Sequence, residues 1–229
     1  MKVMAVIPAA GRGERMGGEL PKQFRTLKDR PVLAYTLLAF ERCPDIDGIV
    51  VVVPKDYVDF CSVRVVEPYG IRKVRRIVPG GRHRQDSVYE GLKAAEEAVI
   101  VVVHDGVRPL VRPKLISRSV ALCRERGAAV VAVPLKETVK LVEGGAVQKT
   151  LPREALWAAQ TPQTFRREVL WEAFQRALRD CFYATDEAAL VERIGYGVWV
   201  VEGEYRNLKI TTAEDLYLAE KLLEDECSG

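Results

Sequence analysis

The sequence is poor in the residues from which most nucleophilic and metal-dependent sites are built. Only two histidines, His83 and His104, occur among 229 residues, and no Ser/His/Asp or Cys/His constellation stands out. The five cysteines, Cys43, Cys61, Cys123, Cys181 and Cys227, are scattered, odd in number and never spaced C-x-x-C. That argues against a disulfide framework or a zinc site and for buried or idle thiols in a reducing cytosol. Neither sign of charge dominates. With 35 basic and 32 acidic residues the net charge is +3, too balanced to argue for nucleic acid. Grouped aromatics are also missing, so the basic run Arg72, Lys73, Arg75, Arg76 reads as a solvated edge strand and not as an RNA-facing stripe. The first apolar run is broken by Pro8, which makes it too short for a signal peptide and far too short to span a membrane. The expectation is a soluble cytoplasmic protein with neither a membrane nor a nucleic-acid partner. Two familiar phosphate loops are absent as well. Met16 stands where G-x-G-x-x-G needs its third glycine, and no G-x-x-x-x-G-K-[ST] occurs.

What is present begins at Val3–Lys22, VMAVIPAAGRGERMGGELPK, around which the rest of the chain is organised. Val3 to Ile7 suits a buried strand, and small residues then break it. Gly11 and Gly13 allow a tight turn and close approach to a ligand. Arg12, Arg15 and Lys22 place cations on the same loop. A strand feeding a small-residue, cationic loop is suited to holding phosphates.

Farther on, strand and helix patterns alternate. Pro31 opens a helix, Ile49–Val53 is a β-branched strand, and Asp56–Cys61 reads as a short helix. Lys73–Val78 is a weaker strand, and a glycine turn at Gly80-Gly81 runs into a helix reaching about Glu97. Val99–Val103 is a core strand ending in His104-Asp105-Gly106, Pro113 to about Glu125 a helix stopped by Gly127, and Ala128–Val133 a strand. This alternation predicts one α/β domain over 1–229, a mostly parallel twisted sheet covered by helices on both faces. The turns at Gly11, Gly81 and His104-Asp105 then fall together at strand carboxyl ends, where such sheets bind ligands. Residues 134–152 break the rhythm with a Gly144-Gly145 hairpin signal, read as a projecting arm that burial against another subunit would stabilise. A helix from Arg167 to about Arg179, a short helix from Thr185 (taken as its cap) through Arg193, a strand at Gly197–Val201 and an extended Leu208–Ile210 follow. Thr211-Thr212-Ala213-Glu214 is read as a capping box before the last helix.

Cations converge from separate segments: Arg12, Arg15 and Lys22, then Arg82 and Arg84, then Arg108, Arg153 and Lys209. Their use is to offset repulsion when a nucleoside triphosphate meets a phosphorylated acceptor. No nucleophilic side chain is then needed, because the acceptor phosphate is already ionised. Asp105 ends an apolar strand, where a carboxylate needs a partner. Mg²⁺ or Arg108 could each supply it. His104 reads as a structural loop residue and His83 as exposed.

The strings PAAGRGERM, PKQ, GGRHRQDSV, VHDGVRP, KETVK, LPREALWAAQTPQ, ATDEA and EGEYRNLKIT, in this order, resemble the 2-C-methyl-D-erythritol 4-phosphate cytidylyltransferase family over nearly the whole chain. The resemblance implies a Rossmann-like nucleotidyltransferase fold and transfer of CMP from CTP to a polyol phosphate, with Mg²⁺ or another divalent cation. It places Ala9, Ala10, Gly11, Gly81, Arg82, Ser87, Asp105 and Gly106 around the nucleotide. Arg15, Lys22 and Lys209 become the catalytic cations. The metal is assigned to Asp105 or to the CTP phosphates alone. Arg108, Thr138, Arg153 and Thr161 would bind the acceptor, Thr138 and Arg153 from the arm of a partner in a homodimer. Arg82 and Val107 depart from the family's usual acidic or small residue and alanine. The ribitol 5-phosphate cytidylyltransferases, or a non-catalytic nucleotide-binding regulator, are the competing readings.

Overall fold

The computed structural model describes residues 1–11 and 20–227, with the side chains of 225–227 excepted. Eleven strands and seven α-helices follow one another among them, and the short strands β2 (Thr26–Leu27) and β3 (Arg30–Pro31) pair with each other apart from the main sheet. In chain order the main-sheet strands are β1 (Val3–Pro8), β4 (Gly48–Val53), β5 (Val74–Pro79), β6 (Ile100–Val103), β7 (Ala128–Pro134), β10 (Trp157–Arg166) and β11 (Trp199–Glu202). They form a seven-stranded sheet in the order β11-β7-β10-β6-β1-β4-β5. Only β10 runs antiparallel to its neighbours; the other pairings are parallel. The expectation of a mostly parallel sheet is met.

Strand β1 shows why the sheet is buried on both faces. All six of its residues are buried. Because side chains alternate along a strand, Val3, Ala5 and Ile7 enter one core, with Leu37 and Phe40 of α1 (Val32–Arg42) and Ile116 of α4 (Pro113–Arg126). Met4 and Val6 enter the other, with Leu92 of α3 (Arg84–Ala94) and Phe174 of α5 (Arg167–Arg179). Each of these buried side chains other than Ala5 contributes about 1.5–3 kcal/mol. Gly127 ends α4 in the left-handed region at φ 89°, where glycine alone is unstrained.

Several boundaries differ from the sequence reading, for local reasons. The helix α6 (Glu187–Arg193) is capped by Asp186 and not by Thr185, because the Asp186 carboxylate accepts from Ala189 N. The box before α7 (Ala213–Cys227) lies one residue later than expected. Asp215 Oδ2 accepts from Thr211 N and Thr212 N at 2.8 and 2.9 Å, and Thr212 Oγ1 accepts from Asp215 N. Leu208–Ile210 pairs with no strand. The 55–66 segment is a 3-10 turn, the short helix α2 (Val58–Cys61) and a π-turn in succession.

The expected hairpin is present: β8 (Lys140–Glu143) pairs with β9 (Ala146–Thr150) as a separate two-stranded ribbon. Gly144 and Gly145 both have positive φ, 56° and 82°, which a two-residue hairpin turn of the primed type requires. Every residue of the ribbon is exposed. No helix among the described residues is long and apolar enough to cross a membrane.

Candidate active site

A cleft of about 270 Å³ opens at the carboxyl ends of β1, β5 and β6, lined by Ala10, Gly11, Lys22, Gly81, Arg82, Ser87, Asp105 and Lys209 among others. The loops after β1, β5 and β6 therefore do meet. Small residues make the meeting possible. A Cβ on Gly80 would lie 2.3 Å from Ala10 Cβ, and one on Gly106 would lie 2.8 Å from Ala9 Cβ. Among the described residues, a Cβ on Gly11 would meet nothing within 4 Å. Gln23 Nε2 donates to Ala9 O at 2.6 Å and docks the Pro-Lys-Gln segment beneath the loop, which brings Lys22 to the rim. Ser87 braces the second turn: its Oγ accepts from Gly81 N and donates to His83 O. His83 is exposed, and its backbone N–H donates to Asp86 Oδ2 at the start of α3. Arg12 and Arg15 lie outside the described residues.

A second cavity of about 250 Å³ adjoins the first, lined by Arg108, Gln160, Thr161, Thr185 and Asp186 among others. Arg84, Asp105 and Lys209 line both. Thr161 lies in the irregular stretch of β10 that carries the cis Thr161–Pro162 bond. Its Oγ1 accepts from Asp105 N at 3.1 Å and donates to His104 Nδ1 at 3.0 Å. His104 Nε2 then donates to Arg108 O. His104 is fully buried, and burial pulls its pKa down to about 3, so the ring is neutral. The structural reading of His104 holds, and the residue does not face either cavity.

Asp105 is the electrostatic centre. Its Oδ1 lies 3.1 Å from Arg84 Nε, and its Oδ2 lies 3.3 Å from Arg108 Nε and 3.1 Å from Lys209 Nζ. Burial opposes its charge, but Arg84, Lys209 and Arg108 outweigh that and hold the carboxyl well below the usual range. Both oxygens thus already face cations, and among the described residues no three His, Cys, Asp or Glu side chains form a metal cluster. The Asp105–Arg108 ion pair read from the sequence is formed, and Arg84 and Lys209 join it.

Thr138 and Arg153 are exposed at the base of the arm, and neither lines the cavities of its own chain. Arg153 Nη1 donates to Lys136 O. Some site residues went unread in the sequence. Glu187 pairs with Arg84, and Asn207 Nδ2 donates to Gln160 Oε1 and Thr161 O while its own carbonyl accepts from Arg108. Both lie inside strings that were singled out, but only burial and partners reveal a role. Arg82 is exposed at the rim, and Val107 is buried with Leu110 and Ile210.

A family model described as 2-C-methyl-D-erythritol 4-phosphate cytidylyltransferase matches residues 3–225. A 2-C-methyl-D-erythritol 4-phosphate cytidylyltransferase of Geobacter metallireducens is 50% identical over 99% of both chains. One of Geotalea uraniireducens is 48% identical over 97% of both. Among solved structures, 4-diphosphocytidyl-2C-methyl-D-erythritol synthase of Anaerococcus prevotii superposes with TM-score 0.87 at 32% identity, over 97% of this chain and 96% of that one. The Thermus thermophilus 2-C-methyl-D-erythritol 4-phosphate cytidylyltransferase gives 0.80 at 37%, over 98% and 100%.

Proposed function

The chain belongs to the 2-C-methyl-D-erythritol 4-phosphate cytidylyltransferase family, and from that premise we propose how its paired cavities work. It is a CTP-dependent nucleotidyltransferase. It transfers CMP from CTP to 2-C-methyl-D-erythritol 4-phosphate, giving 4-diphosphocytidyl-2-C-methyl-D-erythritol and pyrophosphate in non-mevalonate isoprenoid precursor synthesis. The observation that carries the residue assignment is the shared wall of Arg84, Asp105 and Lys209 between two adjoining cavities.

In this reading CTP occupies the cleft of Ala9, Ala10, Gly11, Gly81, Arg82, Ser87, Asp105 and Gly106. The acceptor phosphate enters beside Arg108 and Thr161. An acceptor phosphate oxygen forms the new bond to the α-phosphorus of CTP, and the bond to the leaving pyrophosphate breaks in line. Arg15 and Lys22 stabilise charge on the triphosphate as it shifts toward pyrophosphate, and Lys209 holds the attacking phosphate. Repulsion between the two anions is part of the barrier, and fixed cations offset it without a covalent intermediate. Bound Mg²⁺, or another divalent cation, would neutralise part of the triphosphate charge and be held by the CTP phosphates. The enzyme works in the cytoplasm as a homodimer, with Thr138 and Arg153 of each arm completing the partner's acceptor cavity. What supports this is the exposure of Leu141, Val142 and Val147 on a ribbon with no cover of its own.

The test is pyrophosphate release with CTP and Mg²⁺, offering methylerythritol 4-phosphate and ribitol 5-phosphate side by side. Release with methylerythritol phosphate alone is expected. Release with ribitol phosphate alone would move the acceptor assignment, and silence with both despite CTP binding would point to a regulator.

A further inference from the structure

An ion pair between the half-buried Arg84 and the buried Glu187 stands where the two cavities meet, and none of the roles above uses it. Arg84 is the first residue of α3, directly after the glycine turn. Its Nε donates to Asp105, and its two Nη atoms form a fork on Glu187 at 2.6 and 3.0 Å. Glu187 is only 1% exposed, although it is a carboxylate in the first turn of α6. Burying such a group is costly unless it is paired, and a bidentate guanidinium is the geometry that satisfies both oxygens. The next residue of α3 grips the same segment. Gln85 Nε2 donates to Phe182 O, and Gln85 Oε1 accepts from Ala184 N. Two consecutive residues of the helix that follows the nucleotide turn therefore hold residues 182–187, which carry Thr185 and Asp186 into the second cavity.

The pair also sets a charge balance. Arg84 competes with Lys209 and Arg108 for Asp105, pulling on Oδ1 while they pull on Oδ2. Glu187 takes up the fork of Arg84 and leaves only its Nε for Asp105. Without Glu187, the whole charge of Arg84 would fall on Asp105 and draw the carboxylate away from the two cations of the acceptor side.

We propose that Arg84 and Glu187 are positioning residues for cytidylyl transfer: the pair orients Asp105, and through it Lys209 and Arg108, at the junction of the two cavities. This deepens the functional reading above and rests on it. The experiment is steady-state pyrophosphate release by the full chain, varying CTP and methylerythritol 4-phosphate separately, with melting temperature measured alongside. The variants are Glu187→Gln, Arg84→Lys and the double variant Arg84→Gln/Glu187→Gln. Glu187→Gln is expected to raise the acceptor KM and lower kcat by roughly tenfold or more, as small misplacements of catalytic groups do, while the CTP KM changes little. Arg84→Lys keeps the charge, loses the fork and is expected to behave similarly. The double variant leaves no unpaired buried charge, so its melting temperature should recover relative to Glu187→Gln while the acceptor KM stays high. If Glu187→Gln does not fold, the double variant carries the same test. Recovery of acceptor kinetics together with stability would reduce the pair to a structural brace and overturn the proposal. So would an equal rise in both KM values, or wild-type kinetics in Arg84→Lys. Failure of the unmodified enzyme to turn over would instead strike the functional reading, so the two failures are distinct.

Discussion

Lys22 reaches the cleft rim because its neighbour Gln23 is buried and donates to Ala9 O. Replacing it leaves that anchor in place. Lys22→Ala should therefore fold normally and lower kcat by about 10²-fold or more, as loss of a transition-state donor does. Arg15→Ala is expected to do the same, and near-normal turnover in both would remove them from the mechanism. His104 makes a separate prediction. Its folded pKa of about 3 lies below its ordinary value of 6.5 because burial disfavours the imidazolium. The folded state then binds fewer protons than the unfolded one between those values. Stability from His104 is complete above about pH 6.5 and is lost as pH falls toward 3, at up to about 1.4 kcal/mol per pH unit. Asp105, whose pKa is also depressed, acts lower, below its ordinary 3.8. Denaturant melts between pH 7 and pH 5 should slope downward in the wild type and run flat in His104→Gln. A slope that persists in the variant would assign it elsewhere.

At the scale of elements, the glycines divide into two kinds. Gly80 lets the loop after β5 touch Ala10, with a hypothetical Cβ 2.3 Å from Ala10 Cβ and 2.8 Å from Ser87 Oγ. Gly11 crowds none of the described residues. Gly80→Ala should therefore destabilise the fold by about 1–3 kcal/mol through overpacking. Gly11→Ala should leave the melting temperature unchanged and weaken CTP binding, because a methyl group would stand where the nucleotide approaches. Calorimetric CTP titration of Gly11→Ala checks this, and undiminished affinity would mean that the loop backbone stays clear of the nucleotide. The turns and strands of these elements were legible because glycine, β-branched runs and breaks are local signals. The cap of α6 was not. Thr185 and Asp186 are both competent caps, and only the placement of Asp186 against Ala189 N and Gln163 decides between them.

At the scale of the whole molecule, the arm is the element least explained by its own chain. A two-stranded ribbon has little independent stability. Leu141, Val142 and Val147 are more than half exposed. If the arm completes a partner's acceptor cavity, Arg153→Ala should raise the acceptor KM far more than the CTP KM. Mixed dimers of Arg153→Ala and Lys22→Ala should regain activity, since one of their two sites would combine an intact cleft with an intact arm. Absence of recovery on co-expression would place Arg153 in its own chain's chemistry or outside it.

The sequence by itself determined the alternation of elements, the hairpin, the family and the three loops that meet at the strand ends. Those depend on residue order and on rules acting over a few positions. Only the tertiary structure showed which cations gather on Asp105. Arg84, Arg108 and Lys209 come to it from positions 21, 3 and 104 residues away, and nothing local says that all three meet there. The same holds for Glu187, which reads as an ordinary acidic residue near a helix start. Its burial depends on α6 being held against α3, a long-range packing outcome that no local spacing encodes.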